Sequence, residues 1–259
     1  MVKVKSKKRF GQHFLHDKNI INKIIDNITV DRDCTLVEIG PGRGALTFPL
    51  LSRVDTLHVI EIDKDLVNFL SVSEKFNNKL VIHQEDALKL NFCDQFNGRL
   101  NIIGNLPYNI STPLLFHLLE YSVCINEMFF MVQKEVAKRI CAAPGDKEYG
   151  RLSIMVQSMC KVQQLFDVNP RAFSPQPKVD SAFLKITPGN SQHTNLLSVE
   201  VFRVIVRAAF SKRRKTIRNA CKGFINEKQF LAVGIDPSSR PEEISVGSFI
   251  ELTNNIVKR

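Results

Sequence analysis

The residues best suited to chemistry form the stretch Gly-Asn-Leu-Pro-Tyr-Asn at positions 104–109. They follow a short apolar run, residues 100–103, which predicts a buried β-strand that ends at the glycine and the proline. The turn then presents an amide side chain, Asn105, and an aromatic ring, Tyr108, at the sheet edge where ligands bind in open α/β folds. The alternative is a structural loop in which Asn105 caps the backbone and Tyr108 packs.

A glycine-rich turn lies upstream of this stretch. Gly40, Gly42 and Gly44 separate a β-branched apolar run, residues 35–39, from a segment with helical periodicity. Glycines allow close backbone approach and unusual φ angles, so an adenosyl ligand can lie against such a turn at the start of a helix. The pattern alone is a weak indication, and its position between a strand and a helix is what favours a nucleoside site.

Acidic residues follow the next two predicted strands. Glu61 lies 21 residues after Gly40, and an acid about 20 residues beyond such a turn can accept hydrogen bonds from the ribose hydroxyls of an adenosine. Asp86 follows the third strand and is the preferred acceptor for the adenine amino group, with Glu85 as the alternative. The competing interpretation of Glu61 is a surface carboxylate at a strand end.

Length and composition favour a folded protein with no membrane contact. The chain has 259 residues, 44% of them hydrophobic, enough for one large domain and a small one. No apolar run reaches the ~18 residues of a membrane span, and the basic N-terminus lacks the apolar core of a secretory signal. We therefore expect a cytoplasmic protein.

Cysteine and histidine spacing argues against a metal site. The six cysteines are scattered and show no Cys-x-x-Cys pair, so we predict reduced, mostly buried thiols. His13 and His16 are three residues apart, but no carboxylate or cysteine cluster joins them, and no metal is expected.

About seven strands alternate with helices up to residue 188, which predicts a doubly wound α/β domain over residues 1–188. Within this domain, residues 150–164 are predicted to be helical and residues 165–168 to form a strand. Residues 189–196 are predicted to be a linker, and residues 197–259 a small, basic, all-helical domain.

Positive charge is concentrated at the two ends of the chain. The net charge is +10, yet residues 11–196 contain 19 basic and 20 acidic residues. A basic patch is the usual footprint of a polyanionic partner. The densest cluster is predicted to be helical, and because like charges so close disfavour an isolated helix, an anionic partner is favoured over a solvated face. Its members are Lys212, Arg213, Arg214, Lys215 and Arg218.

Six motifs in this order resemble the rRNA adenine N6,N6-dimethyltransferase family, from Phe10 to the C-terminus. They are Glu38-Ile-Gly-Pro-Gly42, Gly104-Asn-Leu-Pro-Tyr-Asn-Ile-Ser111, Gln133-Lys-Glu135, Tyr149-Gly-Arg-Leu-Ser153, Phe173-x-Pro-x-Pro-Lys-Val-Asp-Ser181 and Arg213-Arg-Lys-Thr-Ile-Arg218. The last of these motifs favours the bacterial branch that acts on 16S rRNA over the 23S rRNA enzymes, which share the first domain.

The resemblance implies a Rossmann-like, seven-stranded methyltransferase domain, S-adenosylmethionine as methyl donor, and two adjacent adenosines near the 3′ end of 16S rRNA in the small ribosomal subunit as substrate. Some residues are expected to bind the cofactor because of the resemblance, and others because they belong to the glycine turn. Together they are His13, Leu15, Gly40, Gly42, Glu61, Asp86 and Asn105. The family often has Asn where this chain has His13. A contact to the cofactor through the main chain of residue 13 does not depend on this difference. The residues expected to bind RNA are Lys7, Lys8, Arg9, Lys212, Arg213, Arg214, Lys215 and Arg218.

The expected chemistry is centred on the stretch from Asn105 through Pro107 to Tyr108. The Asn105 oxygen and the Leu106 carbonyl would accept the two N–H groups of the target adenine, and Tyr108 would stack on the base. Phe173 is the candidate for its opposite face. Positioning and oriented dipoles would supply most of the rate, with no strong general base.

Two other classes of function compete with this interpretation. A nicotinamide oxidoreductase would use the glycine turn and the acid but would not need the Asn-Leu-Pro-Tyr stretch. A non-catalytic ribosome-assembly factor could use the same fold, and the intact stretch argues against a purely structural role.

We expect the protein to be a monomer.

Overall fold

The computed structural model describes residue 7 and residues 11–31, 33–72, 78–189, 195–212 and 214–258. The chain divides into two compact units. The first comprises Met1–Ala137 and Gln163–Pro188, and the second comprises Lys138–Val162 and Gly189–Arg259. This grouping adds residues 138–162 to the helical part of the chain, whereas the predicted domain boundary placed them in the first domain.

A seven-stranded sheet organises the first unit. Its strands, from edge to edge, are β4, β3, β2, β5, β6, β9 and β7, and a separate two-stranded sheet pairs β1 with β8. The strands span Phe14–Leu15 (β1), Cys34–Ile39 (β2), Leu57–Ile60 (β3), Leu80–His83 (β4), Arg99–Asn105 (β5), Ile125–Gln133 (β6), Cys160–Val168 (β7), Phe173–Ser174 (β8) and Ser181–Pro188 (β9). The predicted doubly wound α/β architecture is confirmed.

The central strands run parallel, and β9 pairs antiparallel with β6. Helices follow the strands and span Lys18–Asn27 (α1), Thr47–Leu51 (α2), Lys64–Ser71 (α3), Phe92–Gln95 (α4), Ser111–Glu120 (α5), Lys134–Cys141 (α6) and Arg151–Gln157 (α7). Most residues of β2 and β5 are buried because a parallel sheet is covered on both faces. The carboxyl ends of the parallel strands therefore meet at one edge of the sheet.

Gly104 allows β5 to approach β2 at that edge. A Cβ atom at this position would lie 2.7 Å from the Ile39 carbonyl oxygen, closer than real Cβ contacts allow. Because the neighbour is backbone and not a flexible side chain, it cannot move aside cheaply. The glycine thus fixes how closely the end of β5, where Asn105 lies, approaches the glycine turn after β2.

Helices make up the C-terminal part of the described chain, as predicted. They span Val199–Ala209 (α8), Ile217–Ala220 (α9), Glu227–Leu231 (α10) and Val246–Val257 (α11), with a 3₁₀ turn at Pro241–Glu243. Their core includes the fully buried rings of Phe202, Phe230 and Phe249. The Tyr149 hydroxyl donates a buried 3.0 Å hydrogen bond to the Ile244 carbonyl within the same unit.

Two predicted helices were wrong. The helix predicted over residues 150–164 ends at Gln157, and β7 begins at Cys160, because Val162, Phe166 and Val168 favour a strand. Lys212, Arg214 and Lys215 of the basic cluster are not helical either, since α8 ends at Ala209 and α9, which contains Arg218, begins at Ile217. Crowded like charges explain the break.

The prediction of six reduced cysteines was also wrong. The structure joins Cys93 and Cys124 in a disulfide. Of the other cysteines, Cys34 is partly buried, Cys141 is exposed, and Cys160 and Cys221 are buried. Sequence spacing could not reveal the pair, because the two residues lie 31 positions apart and meet only in the fold.

Across the part of the chain that the structure describes, no helix has both the length and the apolar character that crossing a membrane requires.

Candidate active site

The carboxyl ends of the parallel strands open onto a cleft of about 220 Å³. Its lining includes nearly every residue predicted to bind the cofactor or the target base, and the exception is Phe173. The predicted residues that line it are His13, Leu15, Gly40, Gly42, Glu61, Asp86, Asn105, Leu106, Pro107 and Tyr108. Residues from distant parts of the first unit therefore meet in one place.

The glycine turn leaves main chain exposed to this cleft. Gly40 has φ +68° and its amide donates to the Ile60 carbonyl at 2.9 Å. A Cβ atom on Gly40 would meet nothing within 4 Å. The space beside its backbone is thus open, which is the surface that a flat, extended ligand needs.

Glu61 offers a fixed carboxylate at the same cleft. Its side chain accepts hydrogen bonds from the Asp63 amide at 2.9 Å and from the Gly42 amide at 3.4 Å. Only 6% of the residue is exposed, and this burial raises the pKa of Glu61 above its ordinary value. The main-chain donors hold the carboxylate beside the glycine turn, where it can accept hydrogen bonds from a polar ligand.

A second buried acid, Glu38, lines the cleft and was not singled out as a site residue from the sequence. It is 1% exposed and accepts a 2.6 Å hydrogen bond from the Thr47 hydroxyl. Burial raises the pKa of Glu38 to about 7, and the nearby charge of Glu61 adds to the shift. In the sequence, the buried acid is indicated by the position of Glu38 inside the apolar run of β2.

Asp86 and its alternative Glu85 both line the cleft. Asp86 is half-buried, and its side chain accepts a hydrogen bond from the Leu88 amide at 3.0 Å. Glu85 is exposed. The anchored carboxylate of Asp86 makes it the better placed of the two.

Asn105 ends β5 with its amide oriented by a specific contact. Its Nδ2 donates to the His13 carbonyl at 3.0 Å. Because the nitrogen and oxygen of an amide point in different directions, the Asn105 oxygen is directed away from that carbonyl. The side chain can therefore offer an acceptor to a ligand in the cleft.

The ring of Tyr108 is held from two sides. His13 stacks on it with ring centroids 5.4 Å apart and planes 27° apart. The Tyr108 hydroxyl shares a 2.7 Å hydrogen bond with the hydroxyl of Ser181. The imidazole of His13 is anchored in turn by the Pro175 carbonyl, 2.7 Å from Nδ1.

The expected stacking role of Phe173 is not supported by its position. Phe173 is 3% exposed and belongs to the hydrophobic core, next to Leu15, with which it pairs across the β1–β8 ladder. The sequence places Phe173 at the start of a proline-rich loop, yet the residue belongs to a core cluster that also contains residues of α1 and the central strands.

Among the described residues, no group of three or more His, Cys, Asp or Glu side chains is arranged to hold a metal ion.

The predicted RNA-binding residues have different surroundings. Lys7 forms ion pairs with Asp63 at 2.5 Å and Asp65 at 2.6 Å, and these contacts raise its pKa. Lys8, Arg9 and Arg213 lie outside the described residues.

Lys212, Arg214 and Lys215 are exposed in the segment between α8 and α9. Arg218 pairs with Glu227 at 2.5 Å inside the second unit. In the described part of the segment between the two helices, three cations are therefore exposed.

Comparison with known proteins gives a consistent picture. The family model for ribosomal RNA adenine dimethylase matches residues 3–258. The chain is 48% identical over 252 residues to "Ribosomal RNA small subunit methyltransferase A" of Alcanivorax borkumensis, which covers 96% of this chain and 90% of the relative. It is 50% identical over 250 residues to the protein of that name from Legionella pneumophila, covering 96% and 97%.

Solved structures agree with these relatives. A dimethyladenosine transferase from Plasmodium falciparum superposes with a TM-score of 0.79 at 28% identity, covering 95% of this chain and 98% of that one. The 23S rRNA methyltransferase ErmE superposes with a TM-score of 0.74 at 22% identity, covering 94% and 99%. The second likeness bears on the fold alone.

Burial of Glu38 predicts a pH-dependent stability. Its pKa is about 7 in the folded chain and about 4.3 in an unfolded one, so the folded state binds more protons between these values. The contribution of this group to the free energy of unfolding should therefore fall as pH rises from about 4.3 to about 7, by roughly 2–3 kcal/mol.

Urea titrations at several pH values test this prediction. Glu38→Gln cannot ionise and should lose this part of the pH dependence, so its stability should rise relative to the unmodified chain between about pH 4.3 and 7. Glu148→Gln, at an exposed acid, is the control and should keep the original slope. Parallel pH profiles for Glu38→Gln and the unmodified chain would contradict the assignment.

Proposed function

The chain belongs to the family of ribosomal RNA adenine dimethylases, and we propose that it dimethylates N6 of two adjacent adenosines near the 3′ end of 16S rRNA in the small ribosomal subunit. The observation that carries this proposal is the Asn-Leu-Pro-Tyr turn, residues 105–108, placed on the same cleft as the glycine turn and Glu61. This arrangement can hold an adenosyl methyl donor and a target base side by side.

The donor that suits this family is S-adenosylmethionine, which supplies an electrophilic methyl group when bound. The residues present fit an adenosyl group. Open space beside the Gly40 backbone admits it, the anchored carboxylate of Glu61 can accept from its ribose hydroxyls, and Asp86 can accept from its adenine amino group. No metal is part of the proposal, because a sulfonium methyl needs no further activation.

The target nitrogen is a poor nucleophile because its lone pair is delocalised into the adenine ring. Asn105 and the Leu106 carbonyl can accept its two N–H bonds, which holds the nitrogen pyramidal with its lone pair directed at the methyl group. After transfer the nitrogen is cationic and therefore acidic, so its proton can leave to water without a strong base. Most of the rate then comes from orientation and from oriented dipoles.

Tyr108 can stack on the target base, a contact worth ~1–3 kcal/mol in nucleic-acid complexes. The base must be unstacked from its own strand, which a loop permits at low cost. Because each adenosine receives two methyl groups, the pocket must also admit N6-methyladenine.

The proposed partner is the 16S rRNA within the small subunit, contacted by the exposed cations between α8 and α9. Since assembling subunits lie in the cytoplasm, we place the protein there as a monomer that does not bind membranes.

Methyl transfer from labelled S-adenosylmethionine to unmethylated small subunits tests the function directly. We expect label in two adjacent adenosines near the 3′ end of the 16S rRNA, located by digestion of the RNA. Label in 23S rRNA offered alongside would favour the 23S alternative. Binding to the subunit without label transfer would favour a non-catalytic assembly factor.

Asn105→Ala and Glu61→Ala should separate chemistry from donor binding. Loss of one oriented polar contact can lower the rate ~10²–10³-fold, so Asn105→Ala should slow single-turnover transfer far more than it weakens RNA binding. Glu61→Ala should weaken donor affinity by ~1–3 kcal/mol, as a lost charge-assisted hydrogen bond does.

Calorimetry with the donor and rapid-quench kinetics supply the two measurements, and circular dichroism checks that each variant is folded. A near-normal transfer rate in Asn105→Ala, or unchanged donor affinity in Glu61→Ala, would remove that residue from its proposed role.

The basic segment predicts salt-dependent RNA binding. Each phosphate contact releases counterions and contributes ~0.7–0.9 to the slope of log affinity against log salt. Replacing Lys212, Arg214 and Lys215 together by Gln should weaken binding to the small subunit and flatten that slope, while donor affinity stays the same. Filter binding at several salt concentrations measures both.

The control is Lys161→Gln, at an exposed cation of β7, which should leave affinity and slope unaltered. If the triple variant binds with the original affinity and slope, the cluster is not an RNA contact, and recognition must come from other cations.

A further inference from the structure

Ser181 contacts the hydroxyl of Tyr108 from a strand outside the catalytic turn. It is the first residue of β9, it is fully buried, and it pairs with Gln133 at the end of β6. Its hydroxyl lies 2.7 Å from the Tyr108 hydroxyl, although the two residues are 73 positions apart. A rigid element of the sheet thus holds the tip of a ring that belongs to the catalytic turn.

His13 fixes the same ring in a second way. Its imidazole stacks on one face of Tyr108, with centroids 5.4 Å apart. His13 is itself anchored twice, through Nδ1 to the Pro175 carbonyl at 2.7 Å and through its own carbonyl to Asn105 Nδ2 at 3.0 Å. His13 therefore both supports the ring of Tyr108 and orients the amide of Asn105.

We propose that Ser181 and His13 are positioning residues, which hold Tyr108 so that one face of its ring receives the target adenine. This inference rests on the proposed function. Because His13 covers one face, the base can stack only on the other. The hydroxyl contact holds the tip of the ring in place, and the stacking on His13 fixes the orientation of the ring plane.

The physical reason lies in the cost of ordering a side chain. An unsupported tyrosine on a turn samples several rotamers and loses that freedom when a base stacks on it. The contacts of Tyr108 with Ser181 and His13 are made before the substrate arrives, so this entropy cost is not incurred when the base binds. Accurate placement of the reacting groups is the main source of rate here. Ser181 and the ring of His13 contribute without touching either reactant.

A double-mutant cycle tests the role of Ser181. Tyr108→Phe keeps the ring and removes only the hydroxyl, and Ser181→Ala removes only its partner. We expect each variant to lower single-turnover methyl transfer about three- to tenfold, the range of one hydrogen bond, with donor affinity unchanged. The double variant should lose no more than either single variant.

Additive losses in the double variant would overturn the proposal, since Ser181 would then act independently of Tyr108. Ser153→Ala is the matched control, because Ser153 is also fully buried and hydrogen-bonded but belongs to the second unit. Its effect should add to that of Tyr108→Phe. Coupling of Ser153 equal to that of Ser181 would also overturn the proposal.

A second measurement reads the ring itself. The chain contains three tyrosines and no tryptophan, so ring-carbon NMR of tyrosine-labelled protein is simple to assign with Tyr108→Phe. Ser181→Ala and His13→Asn should each shift or broaden the Tyr108 signals and leave those of Tyr121 and Tyr149 unchanged. Unmoved Tyr108 signals would overturn the proposal even if activity falls.

The two measurements also separate this inference from the proposed function. If the unmodified protein transfers no methyl group to small-subunit adenosines, the function fails. If it does transfer them and the cycle is additive or the NMR signals stay in place, the positioning role alone fails.

Discussion

The cleft depends on how closely β5 approaches β2 at their carboxyl ends. The Ile39 carbonyl lies where a side chain on Gly104 would begin, 2.7 Å from an ideal Cβ. The next residue of β5 is Asn105, and the next residue of β2 is Gly40. One absent methyl group therefore brings the turn that can orient a base and the turn that can admit a nucleoside to the same edge.

Around that edge the protein accepts buried charge that a purely structural sheet would avoid. Glu38 and Glu61 are both almost inaccessible to solvent, and burial raises the pKa of each. Their partners are main-chain amides and the Thr47 hydroxyl, which satisfy hydrogen bonds without cancelling charge. Such sites are typical of ligand-binding edges, where stability is exchanged for a fixed polar surface.

The sheet and most of the cleft were predictable because their signals are local. Apolar runs predicted the strands, Gly40 and Glu61 each follow a strand directly, and Asn105 ends one. The burial of Phe173, the Cys93–Cys124 pair and the contact between Ser181 and Tyr108 depend on which distant segments meet. The break in the basic helix, where Arg214 adopts φ +69°, likewise reflects a competition between helix propensity and charge repulsion that composition does not resolve.

The hydrogen bond from Asn105 Nδ2 to the His13 carbonyl also bears on how the protein would age. Deamidation would put a carboxylate oxygen where the nitrogen now lies, and two acceptors would then face each other at a distance that had been attractive. The chemical change would be confined to one partly buried side chain that lines the cleft, at the end of β5. A stored preparation would therefore contain an increasing fraction of molecules that lack the bond between residue 105 and the His13 carbonyl.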